Sequence, residues 1–239
     1  MKKYIRAIIL FIFPAYICRY LIMLLGGGKI GKGVHIGFSM IIVNELNIGD
    51  NANIGHFNIV KCNKLYIGAQ TQFRHFNFAK GHFNVIIGEN TWFNHSNKFS
   101  KLTPHGTTVS ITEIFIGNHA SINTNITFDL SDSITIEDGT VLAGSGTQIW
   151  THSFYKSRIN LCESVKVTKP VNIGKNCYIG SNCGIMPGVC IGNGITVGSM
   201  TCVSKSLNKE GLYVSQPIRY IEFDPDAKIA ELKENIKKI

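Results

Sequence analysis

The sequence predicts an all-β solenoid, a prism of stacked coils, and three observations support this fold class. From Ile173 the chain reads IGKNCY-IGSNCG-IMPGVC-IGNGIT-VGSMTC-V, so an aliphatic residue returns at every sixth position as far as Val203. A small or β-branched residue, such as Cys177, stands two positions before the next aliphatic. The same register recurs upstream, for example in KIGKGVHIG at 29–37 and ITIEDGTVL at 134–142. A fixed short period of this kind indicates a repeat architecture.

The six-residue period predicts one short strand and one turn per repeat, with three repeats in each coil. A helix needs a period near 3.6 and a flat strand a period of 2, so neither explains the spacing alone. The aliphatic side chain then points into the prism, and Gly or Asn permits positive φ at the corner. Coils stack about 4.8 Å apart. Residues 29–205, at about 18 residues per coil and with the predicted loops discounted, give about eight coils.

The pattern divides the chain into one central domain and two short extensions. A hydrophobic basic helix is predicted at 1–25, the solenoid at 26–221 and a short helix at 222–239, where apolar residues have helical spacing. The length of 239 residues suits such a single domain. We expect loops where the period fails, near 75–84, 95–110 and 153–169.

Composition limits the classes of function. With 44% hydrophobic and 16% charged residues, the chain is globular rather than disordered. The net charge of +9 comes from scattered basic residues without a stripe, which favours anionic phosphate ligands or a membrane surface over nucleic acid. Seven Cys without a CxxC motif predict neither a disulfide framework nor a zinc site, and favour a cytoplasmic protein.

The segment 1–25 allows two interpretations. Its apolar run, Ala7 to Cys18, is shorter than the roughly 20 residues of a membrane span, and Arg6, Pro14 and Arg19 argue further against a span. No signal-peptide cleavage site follows. The cations of the segment are Lys2, Lys3, Arg6 and Arg19. The helix either attaches peripherally to the inner face of the cytoplasmic membrane, or caps the open end of the prism or packs between protomers.

His152 is the first candidate for chemistry. Five other His residues occupy coil positions, where a side chain simply faces outward: His35, His56, His75, His95 and His119. His152 instead stands where the register breaks, before a segment that ends at Pro170. A residue at the base of a loop on a rigid scaffold is well placed for function. His105, in another predicted loop, is a second candidate base.

The motif T-H, loop, P-V-x-I-G-x-N-x-x-I-G in 151–180 resembles that of the hexapeptide-repeat O-acetyltransferases, which include galactoside, maltose and surface-polysaccharide acetyltransferases. The resemblance extends over nearly all of 29–205 and implies a left-handed parallel β-helix and a homotrimer. It implies that His152 is the catalytic base. It also implies that Asn123 hydrogen-bonds the acceptor or the reaction centre, with Asn125 as the alternative if the register slips by two.

The resemblance further implies that acetyl-CoA is the acyl donor, bound along the C-terminal coils between two protomers, with no metal. The residues that match the family's donor site are Tyr178, Ser181, Ser199, Ser204, Lys205 and Arg219. Lys205 and Arg219 would face the CoA phosphates. The family's G-N-P-A-[KR] ending appears here as SQPIR at 215–219, which keeps the Pro and the base but not the Gly.

The implied mechanism is direct acetyl transfer. A His near pKa 6.5 can take the proton of a sugar hydroxyl as the oxygen attacks a thioester. No Ser-His or Cys-His spacing suggests an acyl-enzyme. A carboxylate or carbonyl would orient His152, and the candidate carboxylates are Asp129, Asp132 and Glu163. Trp150, Phe154 and Tyr155 would line the acceptor site or cover an apolar interface.

The sequence thus predicts an acetyl-CoA-dependent O-acetyltransferase that acts on a sugar or lipid-linked saccharide in surface polysaccharide or lipopolysaccharide biosynthesis. An N-acetyltransferase for an amino sugar would use the same fold and base. A γ-class carbonic anhydrase needs a closely spaced His pair that is missing near His119 and His152. A non-catalytic scaffold is the remaining alternative, and His152, Lys205 and Arg219 argue against it.

Overall fold

Three parallel sheets form the sides of a prism in the computed structural model, which describes residues 2–26, 28–101, 110–159 and 163–215. Face A consists of Gly28–Ile30, Glu45–Ile48, Lys64–Ile67, Phe83–Ile87, Thr112–Ile116, Ile134–Ile136, Val171–Ile173 and Cys190–Ile191. Face B consists of His35–Ile36, Asn53–Ile54, Gln72–Phe73, Trp92–Phe93, Ser121–Thr124, Val141–Ser145, Tyr178–Ile179, Ile195–Val197 and Gly211–Tyr213. Face C consists of Met40–Ile42, Ile59–Lys61, Phe78–Lys80, Lys98–Ser100, Thr127–Asp129, Gln148–Ile149, Gly184–Ile185 and Cys202–Val203.

The predicted parallel β-helix is confirmed. Faces A and C have eight strands and face B has nine, in agreement with the expected number of coils and with the left-handed β-helix that the resemblance implies. Each strand pairs with its equivalent one coil away, as Ile179 does with Val197. The periodic aliphatic residues fill the interior: Ile173, Ile179 and Ile185 have no exposed surface. The core is therefore one continuous column along the axis.

The corners of the prism explain the recurring Asn and Gly. Asn176 and Asn182 adopt left-handed φ values of 54°, which Asn tolerates better than most residues. Gly144, with φ of 63°, lies so close to the next coil that a Cβ atom would sit 1.9 Å from Ser181 Oγ. Gly144 is therefore required at the corner between faces B and C, which we call the B–C corner.

The predicted loop near 75–84 is wrong, because the solenoid continues through it. Phe78–Lys80 pairs in register with strands of face C on both sides. The interior here is filled by aromatic rather than aliphatic side chains, and the Phe73 and Phe93 rings stack with centroids 5.0 Å apart. The buried Asn77 amide hydrogen-bonds to Asn58 Oδ1 at 3.1 Å. A search for periodic Ile and Val misses such coils.

Two insertions leave the prism at the corner between faces C and A, the C–A corner. The first was predicted at 95–110 but begins later, since Lys98–Ser100 is a strand of face C; its centre, 102–109, lies outside the described residues. The second, predicted at 153–169, does depart from the solenoid. Its strands His152–Lys156 and Ser164–Thr168 form an antiparallel hairpin. We call residues 152–168 the flap.

The N-terminal segment forms two helices rather than the one predicted. Helix α1 spans Lys2–Ile12 and helix α2 spans Ala15–Leu25, and the break falls at Pro14 because proline lacks the N–H that a continuing helix requires. Arg6, expected among the surface cations, is buried instead. Neither helix has the length and hydropathy of a membrane span.

The inner side of this hairpin covers the first coil, as the capping interpretation predicts. Arg6 donates hydrogen bonds to the carbonyl oxygens of Gly26, Val43 and Asn44 at 3.0, 3.0 and 2.8 Å. Leu10 and Ile22 are buried beside it. Carbonyl groups at the open end of the solenoid thereby gain partners. The helix predicted at 222–239 lies outside the described residues.

Candidate active site

His152 and Asp129 form a hydrogen-bonded pair at the C–A corner. Nδ1 of His152 lies 2.6 Å from Oδ2 of Asp129. The His152 side chain is 14% exposed and that of Asp129 only 3%. Because a carboxylate can only accept hydrogen bonds, Nδ1 carries the proton and Nε2 is left unprotonated in the neutral ring. Nε2 is thus the nitrogen that could accept a proton from a substrate.

Asp129 is held in its ionised form by a full set of donors. Oδ2 also accepts the backbone N–H of Thr151 at 2.9 Å, and Oδ1 accepts the hydroxyl of Ser131 at 2.9 Å. Burial opposes the charge, yet the hydrogen bonds from His152, Thr151 and Ser131 hold the pKa of the carboxyl below its ordinary value. A fixed carboxylate of this kind sets the tautomer and the orientation of the imidazole.

Aromatic side chains surround the His152 ring. The Trp150 ring meets it edge-on with centroids 5.9 Å apart, and the Phe154 ring does so at 5.4 Å. Trp150 is itself fixed by a hydrogen bond from Nε1 to Oε1 of Gln148 at 3.1 Å. Phe154 is 50% exposed and belongs to the flap. The imidazole ring is therefore flanked by the Trp150 ring, which follows the face C strand Gln148–Ile149, and by the Phe154 ring of the flap.

Two lysines border the pair. Lys166, in the second flap strand, donates to Ser131 Oγ at 2.8 Å. Lys101, at the start of the other insertion, donates to Thr112 Oγ1 at 3.1 Å. Burial lowers the pKa of both ammonium groups. The negative charge of Asp129 partly offsets the lowered pKa of Lys166. The positive charge of Lys166 lowers the pKa of Lys101 further. The two insertions thus bring positive charge to the same corner as the His152 pair.

Sequence reasoning did not single out Ser131, Lys166 or Lys101. Ser131 precedes His152 by 21 residues and its Oγ lies 3.3 Å from Nδ1. The same step of 21 separates Phe128 and Ile149, which pair on face C. This coil length was the available signal for Ser131. No comparable signal existed for the lysines, because both come from insertions outside the repeat.

Of the three carboxylates considered for orienting His152, the structure brings Asp129 to it. Asp132 instead accepts the backbone N–H of Ser133 at 2.8 Å. Glu163 lies at the far end of the flap, next to the Lys156 and Ser164 pair that closes the hairpin. Asp132 and Glu163 have no hydrogen bond to His152 within the described part of the chain.

Asn123 lies at a different corner from His152. It is the third residue of the face B strand Ser121–Thr124, and its Oδ1 accepts a hydrogen bond from Asn94 Nδ2 at 2.8 Å. Asn125 turns the B–C corner with φ of 58°, so its position serves the backbone. Face C separates this corner from His152. No hydrogen bond joins Asn123 to His152 in the regions that the structure describes.

The residues matched to a donor site fall into two groups. Tyr178 is 49% exposed on face B, and near it Ser181 and Ser199 lie on consecutive coils at the B–C corner, where Ser199 Oγ accepts the Ser181 N–H at 3.2 Å. Ser204 and Lys205 lie at the C–A corner and line a cleft of about 250 Å³. Arg219 and His105 lie outside the described residues.

A metal centre has no support in the described ranges. No group of three or more His, Cys, Asp or Glu side chains there could hold a metal ion. The described thiols are free, and four of them, Cys18, Cys62, Cys177 and Cys183, are buried.

Comparisons with known proteins add one family model. Residues 170–205 match the model described as bacterial transferase hexapeptide (six repeats). The sequence matches no curated protein significantly.

Several solved structures resemble the chain. One is a mutant of AntD, an N-acyltransferase from Bacillus cereus in complex with dTDP and coenzyme A, at 23% identity and a TM-score of 0.47, covering 65% of this chain and 82% of that one. A maltose O-acetyltransferase from Clostridium difficile 630 has 27% identity and a TM-score of 0.40, covering 46% and 58%. A hexapeptide-repeat-containing acetyltransferase from Vibrio cholerae has 31% identity and a TM-score of 0.39, covering 46% and 61%.

This chain therefore spans about three fifths of the latter two proteins. Residues 170–205 therefore carry hexapeptide repeats of the bacterial transferase type, and the three stacked parallel faces are the solenoid that such repeats build.

Proposed function

We propose that the protein is an acetyl-CoA-dependent O-acetyltransferase that modifies a sugar hydroxyl, with His152 as the general base. The observation that carries the proposal is the 2.6 Å contact between His152 Nδ1 and Asp129, next to the hexapeptide repeats of 170–205. A base that is oriented by a buried carboxylate suits the deprotonation of a weakly acidic hydroxyl.

The reaction would proceed in one complex of donor and acceptor. Nε2 of His152 takes the hydroxyl proton as the sugar oxygen attacks the thioester carbonyl. The tetrahedral intermediate collapses, the C–S bond breaks, and the imidazolium returns the proton to the CoA thiolate. Asp129 stabilises the imidazolium that forms between these steps, which is the role of the carboxylate in a Ser-His-Asp triad.

The donor would lie along the last coils. Tyr178, Ser181 and Ser199 offer one aromatic and two hydroxyl side chains on adjoining surfaces, and Ser204 and Lys205 border the cleft of about 250 Å³. Lys205 would pair with a CoA phosphate, because an ammonium beside a phosphate forms a charge-assisted hydrogen bond. Arg219 is assigned to the same task on the motif alone.

A homotrimer is part of the proposal. His152 and Asn123 belong to different corners of one prism, with face C between them. This separation favours a site at which Asn123 of a neighbouring protomer approaches His152, as the resemblance implies. The acceptor would be a saccharide of surface polysaccharide or lipopolysaccharide assembly.

The test compares wild type, His152→Asn and the control His119→Asn. His119 is exposed and has φ of 55°, a backbone conformation that Asn tolerates, so its replacement preserves the coil. Melting temperatures with and without acetyl-CoA report donor binding, and CoA release with a panel of sugars, amino sugars and saccharides reports transfer.

We expect acetyl-CoA to stabilise all three proteins and His152→Asn alone to lose transfer, by about a hundredfold or more. If acetyl-CoA stabilises none of them, the donor assignment is wrong. If His152→Asn remains active, another residue is the base. If only amino sugars accept the acetyl group, the product is an amide and O-acetylation is wrong.

A further inference from the structure

The α1–α2 hairpin leaves apolar side chains exposed, on its free surface and along the cleft between α1 and the first strand of face C, in addition to those that cover the solenoid. Six of these side chains are between 47% and 81% exposed, and we call them the outer face: Ile8, Phe11, Ile12, Tyr20, Met23 and Leu24. A helix that is apolar all round is normally buried. Soluble proteins rarely leave such a contiguous apolar surface without a partner.

The hairpin cannot turn this outer face inward. The three hydrogen bonds from the Arg6 guanidinium to carbonyl oxygens of Gly26, Val43 and Asn44 fix the side of α1 that meets the first coil. The Cys18 thiol lies 3.2 Å from the Phe13 carbonyl oxygen and ties α2 to the end of α1. The exposure of the outer face is therefore a fixed property of the folded chain.

Two concave surfaces border the hairpin and differ in chemistry. The first is an apolar cleft of about 340 Å³ between α1 and the first strand of face C, lined among others by Ile8, Phe11 and Met40. The second is a groove of about 430 Å³ between α2 and the first coil, to which Arg19 and Lys32 contribute. One surface suits hydrocarbon and the other suits an anion.

The charge of the hairpin and of the chain that follows it as far as residue 44 has one sign, although Asp50 of the next coil accepts the backbone N–H of Lys32 at 2.8 Å. Residues 1–44 contain six Lys and Arg and neither Asp nor Glu, so they supply most of the net charge of +9. Arg6 is buried, and the others reach solvent: Lys2, Lys3, Arg19, Lys29 and Lys32. The salt bridges of the described chain lie elsewhere, at Lys64–Glu45, His152–Asp129 and Lys175–Asp138.

This arrangement favours an anionic lipid surface over a second copy of the chain. If the outer face met itself across a two-fold axis, its surrounding cations would face the same cations, which is unfavourable. An anionic bilayer offers hydrocarbon for the apolar side chains and phosphates for the cations. Amphipathic helices bind in this way, lying within the interface with basic residues at the headgroups.

We propose that the outer face of the α1–α2 hairpin docks on an anionic phospholipid bilayer. Both helices lie in the plane of the membrane, Ile8, Phe11 and Ile12 enter the acyl boundary, and Arg19 with Lys32 holds a headgroup phosphate. Tyr20 suits the interface, because its ring is apolar and its hydroxyl stays hydrated. The solenoid then stands on the membrane by its first coil.

The test is co-sedimentation of the full chain with vesicles. The vesicles are pure phosphatidylcholine, or phosphatidylcholine with about a third phosphatidylglycerol, at low and high salt. One variant removes hydrocarbon (Ile8→Asn with Ile12→Asn) and a second removes charge (Arg19→Gln with Lys32→Gln). Matched controls make the same changes far from the hairpin: Ile111→Asn with Leu212→Asn, and Lys98→Gln with Lys209→Gln.

We expect wild type to bind the anionic vesicles, with weaker binding at high salt and little binding to neutral vesicles. The charge variant should bind about thirtyfold more weakly, since each basic residue near such a surface contributes a roughly fivefold effect. The apolar variant should lose binding, and both controls should bind as wild type does. Circular dichroism and thermal melting check that every variant is folded.

Three results would overturn the proposal. The first is recovery of wild type in the supernatant with both kinds of vesicle. The second is a failure of specificity: wild type binds neutral and anionic vesicles equally, or the control variants lose as much vesicle binding as the hairpin variants. The third is a different oligomeric state of the apolar variant in sedimentation velocity, together with no binding of wild type to either kind of vesicle. In that case the outer face joins copies of this chain.

Discussion

Asp129 Oδ2 and His152 Nδ1 lie 2.6 Å apart although 23 residues separate them in the chain. They meet because Thr127–Asp129 and Gln148–Ile149 are adjacent strands of face C. The strands end at the same corner, where one supplies the carboxylate and the next leads into the imidazole. The pair is thus positioned by the stacking of coils.

Replacement of Asp129 by Asn should impair catalysis more than donor binding. An amide can donate to Nδ1, which would move the ring proton to Nε2 and leave no base toward the substrate. We expect kcat for acetyl transfer to fall by about 10²–10⁴-fold, with little change in stabilisation by acetyl-CoA. Asp132→Asn is the control, and equal losses in both variants would contradict a specific role for Asp129.

The same carboxylate should make stability depend on acid pH. Its pKa in the folded protein lies below the value of 3.8 for an unperturbed Asp. The stabilisation is therefore fully present above about pH 4 and is lost as the pH falls through the lower, native pKa. Urea denaturation from pH 6 to pH 2 should show a steeper decline for wild type than for Asp129→Asn. Parallel curves of stability against pH for the two proteins would show that Asp129 does not cause the loss of stability in acid.

Replacing an interior phenylalanine should lower the free energy of unfolding far more than replacing an exposed one. Phe99 is fully buried and stacks on Phe93 and Phe128 with centroids 5.5 and 4.9 Å away. We expect Phe99→Ala to lower the free energy of unfolding by about 3–5 kcal/mol.

Phe76 provides the matched comparison for that core substitution. It is 58% exposed and holds φ of 60°, which is unfavourable for a bulky residue and acceptable for Asn. Phe76→Asn should change the free energy of unfolding by no more than about 0.5 kcal/mol. Denaturant titrations of both variants measure the difference, and a large loss in Phe76→Asn would indicate that its stacking on Phe57 supports the fold.

Thiol reactivity should follow burial. Burial raises the pKa of Cys62 to about 12 and raises the pKa of Cys177 and Cys183 as well, whereas Cys190 and Cys202 are exposed. At pH 8 in native buffer, iodoacetamide should modify Cys190 and Cys202 and spare the buried three. Peptide mass spectrometry measures the result, and early labelling of Cys62 would show that the first coils open locally.

The fold was predictable wherever the interior is aliphatic. The six-residue period over 173–203 follows from the buried column of Ile and Val, and each side chain marks its own register. Upstream, Phe73, Phe83 and Phe93 fill the same column, and buried Asn side chains bond along the corner. Those coils keep the geometry but not the residue type, so the periodic pattern wrongly predicts a loop at 75–84.

The site was predictable only in part, because coil length varies. The step between paired strands is 20 residues from Phe73 to Phe93 and 29 from Phe93 to Ile122. It reaches 37 residues from Leu142 to Ile179. His152 was found because it stands at a break in the period. Which carboxylate meets His152 depends on the number of residues in that particular coil, so the sequence alone leaves Asp129 as one of three candidates.

The flap does not disturb the strand pairing of the solenoid from which it projects. Ile134–Ile136 pairs directly with Val171–Ile173 in unbroken register, as if the hairpin between them were absent. Its sequence beyond His152 can therefore drift, lengthen or be exchanged between related proteins while the core is inherited unchanged. Acceptor preference, if the flap sets it, can diversify by recombination of a single surface segment, which makes this corner a natural place to graft a new specificity.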